Sequence, residues 1–150
     1  MPTIKLLQPG DDTLHIEANL LFNDCEMTQE RSAALLAADT YLFVVALSET
    51  GEIMGRIYAH VLHRLNQTDL LLYEVDVDEA HQRKGIGKAM LEFMKALINE
   101  RGYAEMWVLT EGDNKPARAL YESAGGIEEN SPTIMYAFYN PLLKDSKHDI

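Results

Sequence analysis

Apolar residues change their spacing several times along the chain, and each change marks an element. Thr3–Leu7 reads as a short strand, and "PGDD" breaks it. Asp11 or Asp12 can then cap a helix in which Leu14, Ala18, Leu21, Phe22 and Cys25 share one face at helical spacing. "NDCEMT" interrupts, and Thr28 can cap a second helix through Ala38 with Leu35 and Leu36 inward. The run YLFVVALS, Tyr41–Ser48, predicts a buried strand, and "SETGE" predicts a hairpin turn. Strict alternation follows over Ile53–Leu62. Ile53, Gly55, Ile57, Ala59 and Val61 point one way, and Arg56, Tyr58 and His60 the other. "RLNQT" turns the chain into Asp69–Val77, where Leu72, Glu74 and Asp76 share one face and Tyr73, Val75 and Val77 the other.

A long amphipathic helix is predicted over Gly85–Arg101. Ile86, Met90, Phe93, Met94, Leu97 and Ile98 form its apolar stripe, and Gly102 stops it. Tyr103–Thr110 is a strand. Asp113 or Asn114 caps a short helix with Pro116 in its first turn, which Gly125 and Gly126 end; Thr133–Tyr139 is a last strand. The order is β-α-α-β-β-β-α-β-α-β. Hairpins make the middle three strands antiparallel, and the long helix sets Asp69–Val77 parallel to Tyr103–Thr110. The expected fold is therefore α/β of the α+β kind: a mixed, mainly antiparallel sheet with helices on both faces. A doubly wound sheet would alternate strand and helix from the start.

Composition narrows the function. One domain over residues 1–150 is expected from the length and from the lack of repeats or linkers. The net charge of −11 argues against a general nucleic-acid binder and suits a cationic small-molecule partner, although acidity also serves solubility. No apolar run reaches the roughly 18 residues of a membrane span, so no membrane partner is expected. The N-terminus lacks a signal-peptide pattern, and Cys25 is the single cysteine, so a cytoplasmic location is expected. No metal-ligand spacing occurs among the histidines and Cys25, so no metal is expected.

Against this acidity, "HQRKGIGKAM" places Arg83 and Lys84 at the mouth of the long helix, with Gly85 and Gly87. Free N–H groups and the macrodipole make such a helix start an anion site, and glycines let a phosphate approach. A plain left-handed turn is the other reading. Two phosphate motifs fail: the P-loop at Gln82 and Ala89, and the dinucleotide fingerprint at Met90. The Gln82-Arg83-Lys84-Gly85-Ile86-Gly87 pattern is instead similar to the pyrophosphate loop of the GNAT superfamily of acetyl-CoA-dependent N-acetyltransferases. Asn114 and Tyr121, seven apart in "DNKPARALYE", resemble that superfamily's next helix, and the element order resembles it too.

The resemblance implies acetyl-CoA as the cofactor. Gln82, Arg83, Lys84, Gly85, Ile86, Gly87 and Lys88 would hold its pyrophosphate. Free N–H groups near Val75 and Val77 would hold the pantetheine arm, with Asn114, Ala117 and Tyr121 on the next helix. Tyr121 would protonate the leaving thiolate, whose ordinary pKa is about 8.5. Glu74 is either the base for the attacking amine or a carboxylate that only binds a substrate ammonium. His60 is an alternative base, while Cys25 as an acyl carrier has no support beyond its presence. Within the superfamily, "YAHVLHRLNQ" before "YEVDV", and "GDNKPARALY", look like the aminoglycoside 3-N-acetyltransferases. An acceptor of that kind, or another cationic small amine, would meet Asp24, Glu26, Glu74, Asp76, Glu111 and Asp113. A non-catalytic acyl-CoA sensor with the same fold is the remaining alternative. The superfamily often dimerises, and a homodimer is compatible with these faces.

Overall fold

The computed structural model describes residues 2–129 and 134–143. Its elements are β1 (Thr3–Leu6), α1 (Asp12–Asn23), α2 (Gln29–Ala37), β2 (Tyr41–Leu47), β3 (Ile53–His63), β4 (Thr68–Val77), α3 (Ile86–Arg101), β5 (Glu105–Val108) and α4 (Lys115–Ser123), with a 3-10 turn at Glu79–His81. One sheet runs in the order β1-β2-β3-β4-β5. Its first four strands are antiparallel, and β4 and β5 are parallel across the α3 crossover. This is the mixed, mainly antiparallel arrangement expected. Among the described residues no helix is long and apolar enough to cross a membrane.

Each face of the sheet carries its own core. Met90, Met94 and Leu97 of α3 pack on Val44, Ile57, Ala59, Leu70 and Leu72. Ala18 of α1 and Leu36 of α2 pack on Phe43, Val45 and Ile53 of the opposite face. That is why Leu42–Ala46 of β2 are all buried and why the strand reads as an uninterrupted apolar run. A polar chain seals α1 and α2 to this face. The Ser32 hydroxyl donates to Asp12 Oδ1 at 2.9 Å, so His15 Nδ1 must donate to Ser32 Oγ at 2.7 Å. The neutral ring then accepts from the Tyr41 hydroxyl at Nε2, also at 2.7 Å. Burial lowers the His15 pKa to about 4, which keeps the ring in that neutral form.

Two β-bulges change the expected alternation. Leu47 pairs with Ile53 while Ala46 pairs with Gly55, so Met54 is extra and Ile53 turns to the α1 face. Ala59 pairs with Leu72 while Tyr58 pairs with Glu74, so Tyr73 is extra. Leu72 therefore joins Val75 and Val77 on the α3 face, and the Tyr73 ring moves beside Tyr58. A single inserted residue reverses every face assignment behind it.

Three further expectations differ. Leu21 is half exposed and Cys25 lies past the helix end, because Asp24 terminates α1 in a left-handed conformation (φ 48°). Leu35 is only half-buried; Leu36 carries the α2 contact. Of the expected last strand, Thr133 lies outside the described residues, and Ile134–Tyr139 are exposed and in no strand. Its apolar and aromatic residues have strand propensity, but propensity makes a strand only where the backbone pairs, and Ile134–Tyr139 pair with no strand edge.

Candidate active site

β4 organises the site because it has a strand partner on its β5 side for only part of its length. Asp69–Leu72 pair with Glu105–Val108, whereas Glu74–Val77 pair with β3 alone. The sheet splits beyond Leu72, leaving an unpaired backbone edge that includes Val75 and Val77. Such an edge presents N–H and C=O groups to a ligand. Tyr121 on α4 packs against the core beside this split and lines a cavity of about 240 Å³ with Leu72, Trp107 and Val108.

The loop after β4 has the geometry of an anion cradle. Gln82 Nε2 donates to the Val77 carbonyl at 3.2 Å and ties the loop to the strand. Arg83 (φ 63°) and Gly85 (φ 80°) both adopt left-handed backbone, which aims successive N–H groups into one concavity. Gly85 N-caps α3 with no side-chain bond, and the first intrahelical bond runs from Ala89 N to the Gly85 carbonyl. The N–H groups of Ile86, Gly87 and Lys88 are thus left without partners inside the helix. The space a Cβ would fill at Gly85 is open to 4 Å, and Arg83, Lys84 and Lys88 are exposed around it. These residues fit a pyrophosphate. Gly87 does something else. A Cβ there would stand 3.0 and 3.2 Å from the two Leu120 methyls, so this glycine lets α4 lie close to the start of α3.

α4 is set from both ends. Asn114 Oδ1 accepts from the Ala117 N–H at 3.1 Å, so the Asn114 carbonyl oxygen and the Ala117 amide are engaged in capping. Lys95 Nζ donates to the Ala124 carbonyl at 2.9 Å and pins the far end to α3. Tyr121, held between, has its pKa raised by burial first and by the Asp76 charge second. The phenol is thereby kept protonated, as a proton donor must be.

On the other face, Glu74 and Asp76 meet a cation that sequence reasoning left out of the site. Arg56 is fully buried. Its Nη2 pairs with Glu74 Oε2, and also with Asp76 Oδ2 at 2.7 Å; Nε donates to the same Asp76 oxygen at 3.1 Å. Nη1 donates to Asn23 Oδ1 at 2.7 Å, and the guanidinium lies 5.4 Å from the Phe22 ring centroid. Glu74 accepts further bonds from the Tyr58 hydroxyl (3.1 Å) and Asn23 Nδ2 (3.1 Å). With about four lone-pair sites, the carboxylate keeps roughly one for a ligand. Burial and Glu74 together push the Tyr58 pKa up. The missed signal was a charge on the polar face of β3, opposite two acids on the next strand.

Asp24 follows Asn23 directly, so it and Glu26 stand exposed near the cluster's end of α1. Glu111 and Asp113 lie in the loop before α4 and make no ion pair with the Arg56 cluster. His60 is one of a row of rings that joins Tyr41, Tyr58 and Tyr73. His81 sits at the entrance of the anion loop and bonds Asp78.

Known proteins share both the fold and parts of the sequence. A [ribosomal protein bS18]-alanine N-acetyltransferase from Escherichia coli (strain K12) is 33% identical over 85 residues, which is 57% of this chain and 55% of that one. The chain thus matches about half the length of such curated relatives. An aminoglycoside acetyltransferase from an uncultured soil metagenomic sample, solved with sisomicin, superposes with a TM-score of 0.84 at 23% identity, covering 93% of this chain and 97% of that one. A second soil aminoglycoside acetyltransferase gives 0.78 at 26% identity, covering 93% and 99%. The model of the acetyltransferase (GNAT) family matches residues 11–126, which span α1 to the end of α4 and both halves of the site. The chain belongs to the GNAT family of acetyltransferases.

Proposed function

We propose that this enzyme transfers an acetyl group from acetyl-CoA to a primary amine of a cationic small molecule, with an aminoglycoside, at its 3-amino group, as the first reading. The observation that carries it is the split of β4. The anion cradle and Tyr121 lie on its open-edge side, and the two carboxylates project from the same few residues.

Acetyl-CoA supplies the activated acetyl thioester. The N–H groups of Ile86, Gly87 and Lys88, with Arg83 and Lys84, would take the pyrophosphate. The backbone edge at Val75 and Val77 would orient the pantetheine arm and acetyl oxygen. As the amine, bound neutral, attacks the acetyl carbon and the C–S bond breaks, Tyr121 would donate its proton to the departing sulfur, and the proton lost by the new amide nitrogen would leave through water. Glu74, with three donors already in place, suits an anchor for the acceptor's ammonium better than a base. Asp76, Asp24 and Glu26 would extend the attraction to further ammonium groups, and Glu111 and Asp113 would do so from the α4 side.

The soil aminoglycoside acetyltransferases support the first reading. The alanine N-acetyltransferase relative favours a second, the α-amino group of a peptide, and Arg56 supports it by cancelling one of the two acidic charges. An acceptor screen separates them: thiol release from acetyl-CoA with gentamicin, spermidine and an alanine-initiated peptide, and product structure by NMR. Acetylated gentamicin with no spermidine product is the expected result. Acetylation of the peptide alone replaces the aminoglycoside with an N-terminal amine. Acetyl-CoA binding with no product from any amine leaves an acyl-CoA sensor.

A further inference from the structure

The bulge in β4 turns a ring out of the core and sets it beside Tyr58, whose hydroxyl donates to Glu74. Tyr73 is 59% exposed. Its ring centroid lies 5.3 Å from that of Tyr58 and 5.6 Å from that of His60, which meets it edge-on at 82°. Tyr58 in turn stacks on Phe43, with Tyr41 beside it. A row of rings thus crosses β2, β3 and β4, buried at Phe43 and open at Tyr73. Among the described residues, the Tyr73 hydroxyl has no hydrogen-bond partner, and more than half of the residue's surface is open. The middle of the row is bonded to the charge cluster, since the Tyr58 hydroxyl donates to Glu74. Two carboxylates against one guanidinium leave one net negative charge next to this exposed ring.

We propose that Tyr73, backed by Tyr58 and His60, is the platform on which the acceptor lies. A saturated ring or alkyl chain carrying an ammonium group rests on the Tyr73 face while Glu74 takes that ammonium. The assignment rests on the acetyl-transfer reading above and adds the acceptor's shape to it. The physics is the attraction of a cation, and of the polarised C–H groups next to it, to an aromatic face. It also accounts for the bulge. With plain alternation Tyr73 would point at α3 with Val75 and Val77, and the row of rings would lose its exposed end. The occupant is the amine rather than acetyl-CoA because the cluster beside the ring is acidic, whereas the cationic loop for an anionic ligand lies beyond Val77.

Acceptor kinetics test this with three variants. Tyr73→Ala should raise the acceptor KM about tenfold, with kcat and the acetyl-CoA dissociation constant within about twofold of wild type. Tyr73→Phe, which keeps the ring, should stay within about twofold, and Tyr73→Leu, which keeps bulk without a π face, should behave like alanine. An unchanged KM in Tyr73→Ala, a Leu variant equal to wild type, or a loss confined to acetyl-CoA affinity would each overturn the platform. Calorimetric binding of gentamicin and spermidine, with coenzyme A present, makes the result independent of turnover. Binding about tenfold weaker in Tyr73→Ala supports the platform even if no amine is acetylated. Equal binding in the two proteins, or no binding by the wild type, overturns it.

Discussion

The two sides of β4 recognise charge in opposite ways. On the donor side the groups are backbone: unpaired N–H groups of Ile86, Gly87 and Lys88, two left-handed residues and an open glycine. On the acceptor side they are side chains from three elements, with Arg56, Asn23, Tyr58, Glu74 and Asp76 in one network. A backbone site is written in a few consecutive residues. A side-chain network exists only after the strands have found their register. The first can be common to many relatives while the second changes with the acceptor, because altering Arg56 or Asp76 leaves the loop's dihedral angles alone.

The largest way to break this division is Arg56→Met. The guanidinium is buried, and its removal leaves Glu74, Asp76 and Asn23 without their shared donor. Breaking such a pair costs about 3 kcal/mol, read as a lower urea midpoint at pH 7. Acetyl-CoA affinity should stay within about twofold if the donor loop folds on its own terms. Adding Glu74→Gln and Asp76→Asn to Arg56→Met should return much of the stability and none of the acceptor affinity. A loss below about 1 kcal/mol would mean that water already shares the cluster.

This division also explains what could be read from the chain alone. The element order from β1 to α4, the helix stripe of Met90, Met94 and Leu97, and the loop from Gln82 to Gly87 are local patterns, and they appear where periodicity put them. Tyr73 and Ile53 were harder. Their faces depend on bulges at Tyr73 and Met54, and a bulge is a property of two paired strands that no single strand carries. Arg56 stands on the face its alternation gave it, but its partners Glu74 and Asp76 come from the next strand and Asn23 from α1. His15 offered no spacing signal because its partners, Ser32 and Tyr41, come from different elements. Asn114 was legible as a helix start, and its capping bond to Ala117 belongs to the same local grammar. Gly87 was legible as a glycine in a phosphate-type loop, yet what stands against it is Leu120, 33 positions later.

Tyr121 joins the two sides, because Asp76 of the acceptor cluster helps to raise its pKa. Tyr121→Phe should lower kcat about 100-fold with acetyl-CoA affinity within about twofold. Asp76→Asn gives the sharper result. A carboxylate disfavours a nearby phenolate, so neutralising it lowers the Tyr121 pKa and makes the phenol ionise earlier as pH rises. The alkaline limb of the kcat profile should therefore move to lower pH, while kcat near neutrality changes little. A limb that stays in place would show that the two sides of β4 are electrostatically separate, or that Tyr121 carries no proton in the reaction.

Gly87→Ala probes the smallest effect and the one place where the two explanations of a glycine diverge. Alanine favours a helix interior over glycine by about 1 kcal/mol. The new methyl meets the Leu120 methyls at 3.0 and 3.2 Å and Val77 Cγ2 at 3.5 Å, so Leu120 must move by a few tenths of an ångström. Overpacking of this kind costs about 1–3 kcal/mol, which leaves a net loss near 1 kcal/mol. Leu120 adjoins Tyr121 on α4, so the displacement should reach the phenol and lower kcat about threefold, with acetyl-CoA affinity held. If the glycine instead serves the approach of a phosphate, the outcome reverses: stability is unchanged or gained, and acetyl-CoA affinity falls. Thermal unfolding and acetyl-CoA titration of this single variant decide between the two, and the contact with Leu120 favours the first.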